Sequence, residues 1–127
     1  MVDALAERLP AGTVVDGELV VTSEHRLDFS ALQRRLTSRR VQPDAPATLV
    51  VFDLLAHAGV DLRPLRYQQR RARLEQLVTD SCTGLALVPA TPELAGARAW
   101  MRHGHAGVEG VVAKRGDHGY YPRRHHW

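Results

Sequence analysis

Three short stretches place ionisable side chains inside or beside apolar, strand-like runs. Such a conflict between pattern and chemistry is what a functional site produces. In residues 13–22, TVVDGELVVT, the carboxylates of Asp16 and Glu18 flank Gly17, whose missing side chain lets the backbone pass close to a ligand. In residues 48–55, TLVVFDLL, an aromatic, Phe52, is followed by an acid, Asp53. In residues 109–115, EGVVAKR, Glu109 enters an apolar segment and Lys114 leaves it. Regular alternation would set Glu109, Val111 and Ala113 on one face of that strand and Gly110, Val112 and Lys114 on the other. Taken singly, each stretch has an ordinary reading. Asp-Gly-Glu is a common hairpin turn and an aromatic in an apolar run is core, while the glutamate and lysine that bound the third stretch are harder to dismiss.

Lysine is the scarcest chemistry on the chain. Of 17 basic residues in 127, Lys114 is the one lysine and the rest are arginine. A mechanism needing a lysine has a single candidate, and one needing two is excluded. The formal net charge of +3 is compatible with a nucleic-acid partner without demanding one. The arginines cluster at residues 34–40, 63–73 and 123–124, runs that ordinarily form solvated helix faces. Hydrophobic residues make up 44% and charged residues 24%, as in a soluble domain that buries a core, and 127 residues suit one domain. No apolar run reaches the roughly 18 residues of a membrane helix, and residues 1–10 carry Asp3 and Glu7 without a long apolar stretch, so neither a membrane span nor a secretory signal is expected. A lone Cys82 excludes an internal disulfide framework or CxxC metal knuckle and fits a reducing cytoplasm. The histidines of the C-terminal quarter, including His103, His105, His118, His125 and His126, have no recognisable metal spacing and read as loop residues.

The elements that must position these residues follow from periodicity. Residues 13–22 read as strand with a bulge or hairpin at Asp16-Gly17. Ser30 is expected to cap a helix reaching Ser38, with Leu32 and Leu36 on one face. Residues 48–55 read as a strand buried on both faces, turned at His57 to Gly59 into a short return at 60–62. A helix is expected from Pro64 to Val78, burying Tyr67, Leu74, Leu77 and Val78 and presenting its arginines to solvent. Residues 84–89 read as strand, Thr91-Pro92-Glu93 as a helix start, His103-Gly104 as its end, and residues 108–115 as a last strand. The class is α+β, an antiparallel-rich sheet with packed helices as the platform.

Together and in this order the segments resemble the adenylation domain of ATP-dependent DNA ligases, within the covalent nucleotidyltransferase superfamily. DGELVV is similar to that family's third motif, VFDLL at residues 51–55 to the aromatic motif after it, and EGVVAKR to the fourth. RLDFSALQRRL resembles the linking helix, and GYYPRRHHW the approach to the fifth motif. The resemblance runs from about Gly12 to Trp127. It implies one partial adenylation domain over residues 1–127, ATP-grasp-like, without an OB-fold domain, acting with ATP and Mg²⁺ on nicked duplex DNA. In intact relatives sealing runs through an enzyme-AMP, transfer of AMP to a 5′-phosphate and attack by the 3′-hydroxyl. It implies that Glu18 contacts the ribose or helps place a metal, that Phe52 stacks on the adenine, that Glu109 binds the metal and that Lys114 sits near the phosphates. Asp16 and Asp53 become structural neighbours. The family's nucleophilic lysine belongs to a K-x-D-G motif upstream of the third motif, and this chain has no lysine before Lys114. No catalytic lysine is therefore assigned, and self-adenylation of the chain alone is not expected. The alternatives are half of a split ligase completed by another polypeptide, a non-catalytic nucleotide- or nucleic-acid-binding module, or a decayed gene product.

Overall fold

The computed structural model describes residues 5–23, 26–37, 47–79, 84–103 and 110–121. Its axis is β3, Ala47–His57, whose run ATLVVFDLLAH supplies the apolar residues that tolerate a central position. One edge of β3 pairs antiparallel with β1, Val14–Ser23, which in turn pairs with the short β2, Arg26–Leu27. The other edge is divided between two short strands. β4, Val60–Asp61, returns antiparallel along the end of β3, and β5, Leu85–Leu87, runs parallel to Leu49–Val51. The β3–β4 turn places Ala58 at φ 49° and Gly59 at φ 79°, the positive pair that a tight hairpin twist demands. The Gly59 N–H donates to the Gly12 carbonyl at 3.0 Å, and a Cβ on Gly12 would meet the Gly59 nitrogen at 2.6 Å.

Asp16-Gly17 does not break β1. The irregularity lies on the partner: Asp16 opposes Asp53 and Gly17 opposes Val51, so Phe52 is the extra residue of a β-bulge. A second shift, between the Val14–Ala56 and Val15–Leu54 pairs, makes Leu55 another. The glycine is required by the close approach of β3, since a Cβ on Gly17 would stand 2.7 Å from the Val50 carbonyl oxygen and 3.0 Å from the Val51 Cα.

Helix α1 spans Phe29–Thr37. Its cap is Asp28, whose Oδ1 accepts the Ala31 N–H at 2.7 Å, and not Ser30, which lies inside the helix. Helix α2, Tyr67–Leu77, starts later than Pro64 suggested. The Leu65 N–H closes a turn onto the Leu62 carbonyl at 2.9 Å, Arg66 is extended, and the Gln69 side chain accepts the Arg66 N–H at 3.2 Å. From there the sequence QQRRARLEQL holds only helix-tolerant residues. Helix α3, Leu94–His103, likewise begins after Thr91-Pro92, because the Thr91 hydroxyl accepts the Glu93 N–H at 3.1 Å in a turn ahead of it.

The main core packs α2 on β3 through Val51, Leu54, Leu62, Leu74, Val78 and Leu85. A smaller cluster joins α1 to the sheet through Val21, Ala31 and Ala47. Two expectations fail here. Arg70 and Arg71 of α2 are buried rather than solvated, at 2% and 8% exposure. Residues 110–115, expected within a strand at 108–115, form no ladder, and Val112 is 70% exposed. Without a paired neighbour an extended segment has no reason to keep strict alternation, and Lys114 turns inward from a loop. Among the described residues no helix is long and apolar enough to cross a membrane.

Candidate nucleotide site

Asp16 and Asp53 are cross-strand partners, so their carboxylates leave the same face of the sheet. Like charges so placed repel, and each is met by its own partner. Arg70 reaches from α2 and grips Asp53 with two bonds, Nε to Oδ1 at 2.8 Å and Nη2 to Oδ2 at 2.9 Å. The Leu54 N–H adds a third to Oδ1 at 2.9 Å, and the remaining Arg70 nitrogen donates to the Leu65 carbonyl. Both side chains are 2% exposed, a burial that charges tolerate only when paired and fully hydrogen-bonded. Asp16 accepts the Tyr120 hydroxyl at 3.0 Å.

Tyr120 arrives on a strap, residues 114–120, that docks on the start of α2. A helix leaves its first N–H groups without intrahelical acceptors. Here Tyr67 donates to the His118 carbonyl at 2.7 Å and Gln68 to that of Gly116 at 3.0 Å, while Tyr120 donates its own N–H to the Arg63 carbonyl at 2.8 Å. Arg115 turns outward to Asp117 at 2.8 Å. Lys114 turns inward, its Nζ 4.5 Å from the centre of the Phe52 ring and 5.2 Å from that of Tyr67. The Arg70 guanidinium stands 5.8 Å from the rings of Tyr67 and Tyr120. Two cations thus lie among three aromatics above a pair of carboxylates.

Burial holds the Lys114 ammonium below the ordinary lysine pKa, with Arg70 and Arg71 adding to the effect and Asp53 and Asp16 opposing it. Burial likewise raises the Tyr67 phenol, and it raises that of Tyr120 together with the bond to Asp16. Arg71 binds Glu75 and the Val88 carbonyl, each at 2.7 Å, and its Nη1 is buried without a partner among the described residues.

Of the residues singled out from sequence, Phe52 and Lys114 meet. Glu18 is exposed on β1, two residues on from Asp16 and so on the same face. Glu109 lies outside the described residues. Among the described residues no three carboxylates, histidines or cysteines converge as a metal site. Sequence reasoning overlooked Arg70, Tyr67 and Tyr120 as parts of this site. Arg70 carried a signal, since it falls in the buried stripe between Tyr67 and Leu74 at helical spacing. Tyr120 carried none by periodicity, although it falls in the GYYPRRHHW segment.

The α+β sheet that sets this bulged aromatic beneath an ammonium matches that of solved DNA ligase domains. A solved structure described as mycobacterial DNA ligase D complexed with ATP and MES matches it at a TM-score of 0.67 with 35% identity, covering 88% of this chain and 35% of that one. The model of the ATP dependent DNA ligase domain matches residues 1–127, and the chain belongs to that family. DNA ligase C2 of Mycolicibacterium smegmatis is 38% identical over 128 residues, covering 96% of this chain and 36% of that protein. DNA ligase C of Mycobacterium tuberculosis is 35% identical over 132 residues, covering 96% of this chain and 37% of that protein. The chain therefore spans little more than a third of the length of these relatives.

Proposed function

We propose that this chain forms the nucleotide-facing part of an ATP-dependent DNA ligase, acting on nicked duplex DNA in the reducing cytoplasm that a single cysteine suits. The observation that carries the reading is the meeting of Phe52 and Lys114, distant in sequence, at 4.5 Å beside two carboxylates. Phe52 offers the adenine a half-buried π-face, which the bulge turns away from the regular alternation of β3. Lys114 supplies a positive charge for the phosphates of a nucleotide bound at that ring. Asp53–Arg70 and Asp16–Tyr120 fix the floor and the strap, so that neither must be ordered at the moment of binding.

The donor set fits Mg²⁺ in a limited way. Asp16 and Asp53 are engaged by Tyr120 and Arg70, leaving Glu18, with Glu109, as the carboxylates proposed for the ion. Mg²⁺ commonly takes one or two carboxylates and completes its shell with phosphate and water. When bound it would neutralise phosphate charge beside those carboxylates.

Calorimetric titration of the chain with AMP and ATP, with and without Mg²⁺, tests the proposal. Base–aromatic stacking is worth about 1–3 kcal/mol, so Phe52→Ala is expected to weaken AMP binding by about 5- to 150-fold. Mg²⁺ is expected to tighten ATP. Unchanged affinity in Phe52→Ala, or tight ATP binding that survives EDTA, overturns this account of the site.

A further inference from the structure

The ammonium of Lys114 stands over the ring face that a stacked purine would need. At 4.5 Å from the Phe52 centroid and 5.2 Å from that of Tyr67, it makes two cation–π contacts in a half-buried setting. A base stacked on Phe52 would lie closer to the ring than Nζ now does, so the two cannot share that face. We infer that Lys114 is a built-in competitor for the Phe52 platform, and that this makes the site selective for phosphorylated ligands over the bare nucleoside.

The selectivity follows from what each ligand returns. A nucleoside must displace the ammonium from both rings and offers it nothing. A nucleotide displaces it equally but presents a phosphate with which the freed ammonium forms a charge-assisted hydrogen bond. The ammonium has a route to move. Lys114 is carried by a loop without ladder hydrogen bonds, while the strap behind it stays anchored at Gly116, His118 and Tyr120. Around the parked position Asp53 and Asp16 attract the ammonium, whereas Arg70 and Arg71 repel it. Aromatic ring, ammonium and phosphate thus form an exchange in which the phosphate, not the base, restores what displacement costs.

The inference rests on the Phe52 platform reading, and two measurements separate their failures. Lys114 is the only lysine of the chain, so ¹³Cε-lysine labelling yields one lysine resonance. In the free chain its ε-protons are expected upfield of an exposed lysine because of ring current, and Phe52→Leu should move them back toward the exposed value. AMP should do the same in the parent chain. A resonance at the exposed position, unmoved by Phe52→Leu, overturns the inference whatever the ligand does.

The second measurement compares adenosine with AMP by calorimetry. Lys114→Met keeps the stem and removes the charge. It is expected to tighten adenosine by roughly 2- to 30-fold, the range a cation–π contact spans, while AMP gains nothing or weakens, so the preference for AMP falls. An unchanged AMP-to-adenosine ratio overturns the inference and leaves the platform standing if Phe52→Leu still weakens both ligands. If Phe52→Leu alters neither, the platform reading fails and takes the inference with it.

Discussion

Asp53 is buried to 1% exposure against Arg70, and each side chain satisfies the other's hydrogen bonds. Removing one partner leaves an uncompensated buried charge. Asp53→Ala is therefore expected to cost about 3–5 kcal/mol in urea unfolding, a large share of a small domain's stability. Replacing both, Asp53→Leu with Arg70→Met, is expected to cost less than Asp53→Ala alone, since no charge is then stranded. A double variant as unstable as the sum of the single ones would show that the pair contributes no coupling. Lys114 makes a pH prediction at the same scale. Its folded pKa lies below the ordinary value of 10.5, so the folded chain releases this proton before the unfolded chain does. Stability rises with pH wherever the unfolded state binds more protons. Melting temperature relative to Lys114→Met should then climb as pH rises from the lowered folded value toward 10.5, the raised tyrosines being common to both chains. A difference that stays flat or falls would contradict the burial of the ammonium.

Elements act through the bulge and the strap. Gly17→Ala puts a Cβ 2.7 Å from the Val50 carbonyl oxygen, a contact that backbone must move to relieve. We expect it to destabilise by about 1–3 kcal/mol, as overpacking does, and to disturb the Phe52 amide resonance more than those of α1. Tyr120→Phe removes the bond to Asp16 while leaving the ring in place. A hydrogen bond to a charged acceptor is worth about 1.5–3 kcal/mol, and amide exchange should quicken at Tyr67 and Gln68, whose N–H groups the strap accepts. Protection unchanged at those two amides would mean that the strap holds without its tyrosine. Strand and helix existence was legible at this scale because period-2 and period-3.6 patterns report burial directly. The element starts were less so. Asp28 displaced Ser30 as the cap of α1, and Pro64 fell in a turn, because capping depends on which oxygen reaches which N–H. Residues 110–115 read as strand from composition, but a strand needs a paired neighbour that no local pattern reports.

For the whole molecule, family membership and self-sufficiency are separate matters. The family's nucleophile is a lysine, and this chain's one lysine stands over Phe52 rather than in a K-x-D-G segment. Incubated with α-labelled ATP and Mg²⁺, the chain is expected to carry no stable label after denaturing electrophoresis. Label that disappears in Lys114→Ala would make Lys114 the nucleophile and reverse the role proposed for it.

What the amino-acid sequence determined by itself was local and chemical: the α+β order of elements, the apolar β3, the aromatic and carboxylate motifs, and the scarcity of lysine. These are properties of short windows, where periodicity and residue type suffice. Tertiary structure alone decided that Phe52 is the extra residue of a bulge, that Arg70 is a buried partner of Asp53, and that a strap brings Tyr120 to Asp16 and Lys114 to Phe52. Each depends on register or docking between segments far apart in the chain. A one-residue shift in pairing turns a side chain to the other face of a sheet, and no single segment records which shift its partner will impose.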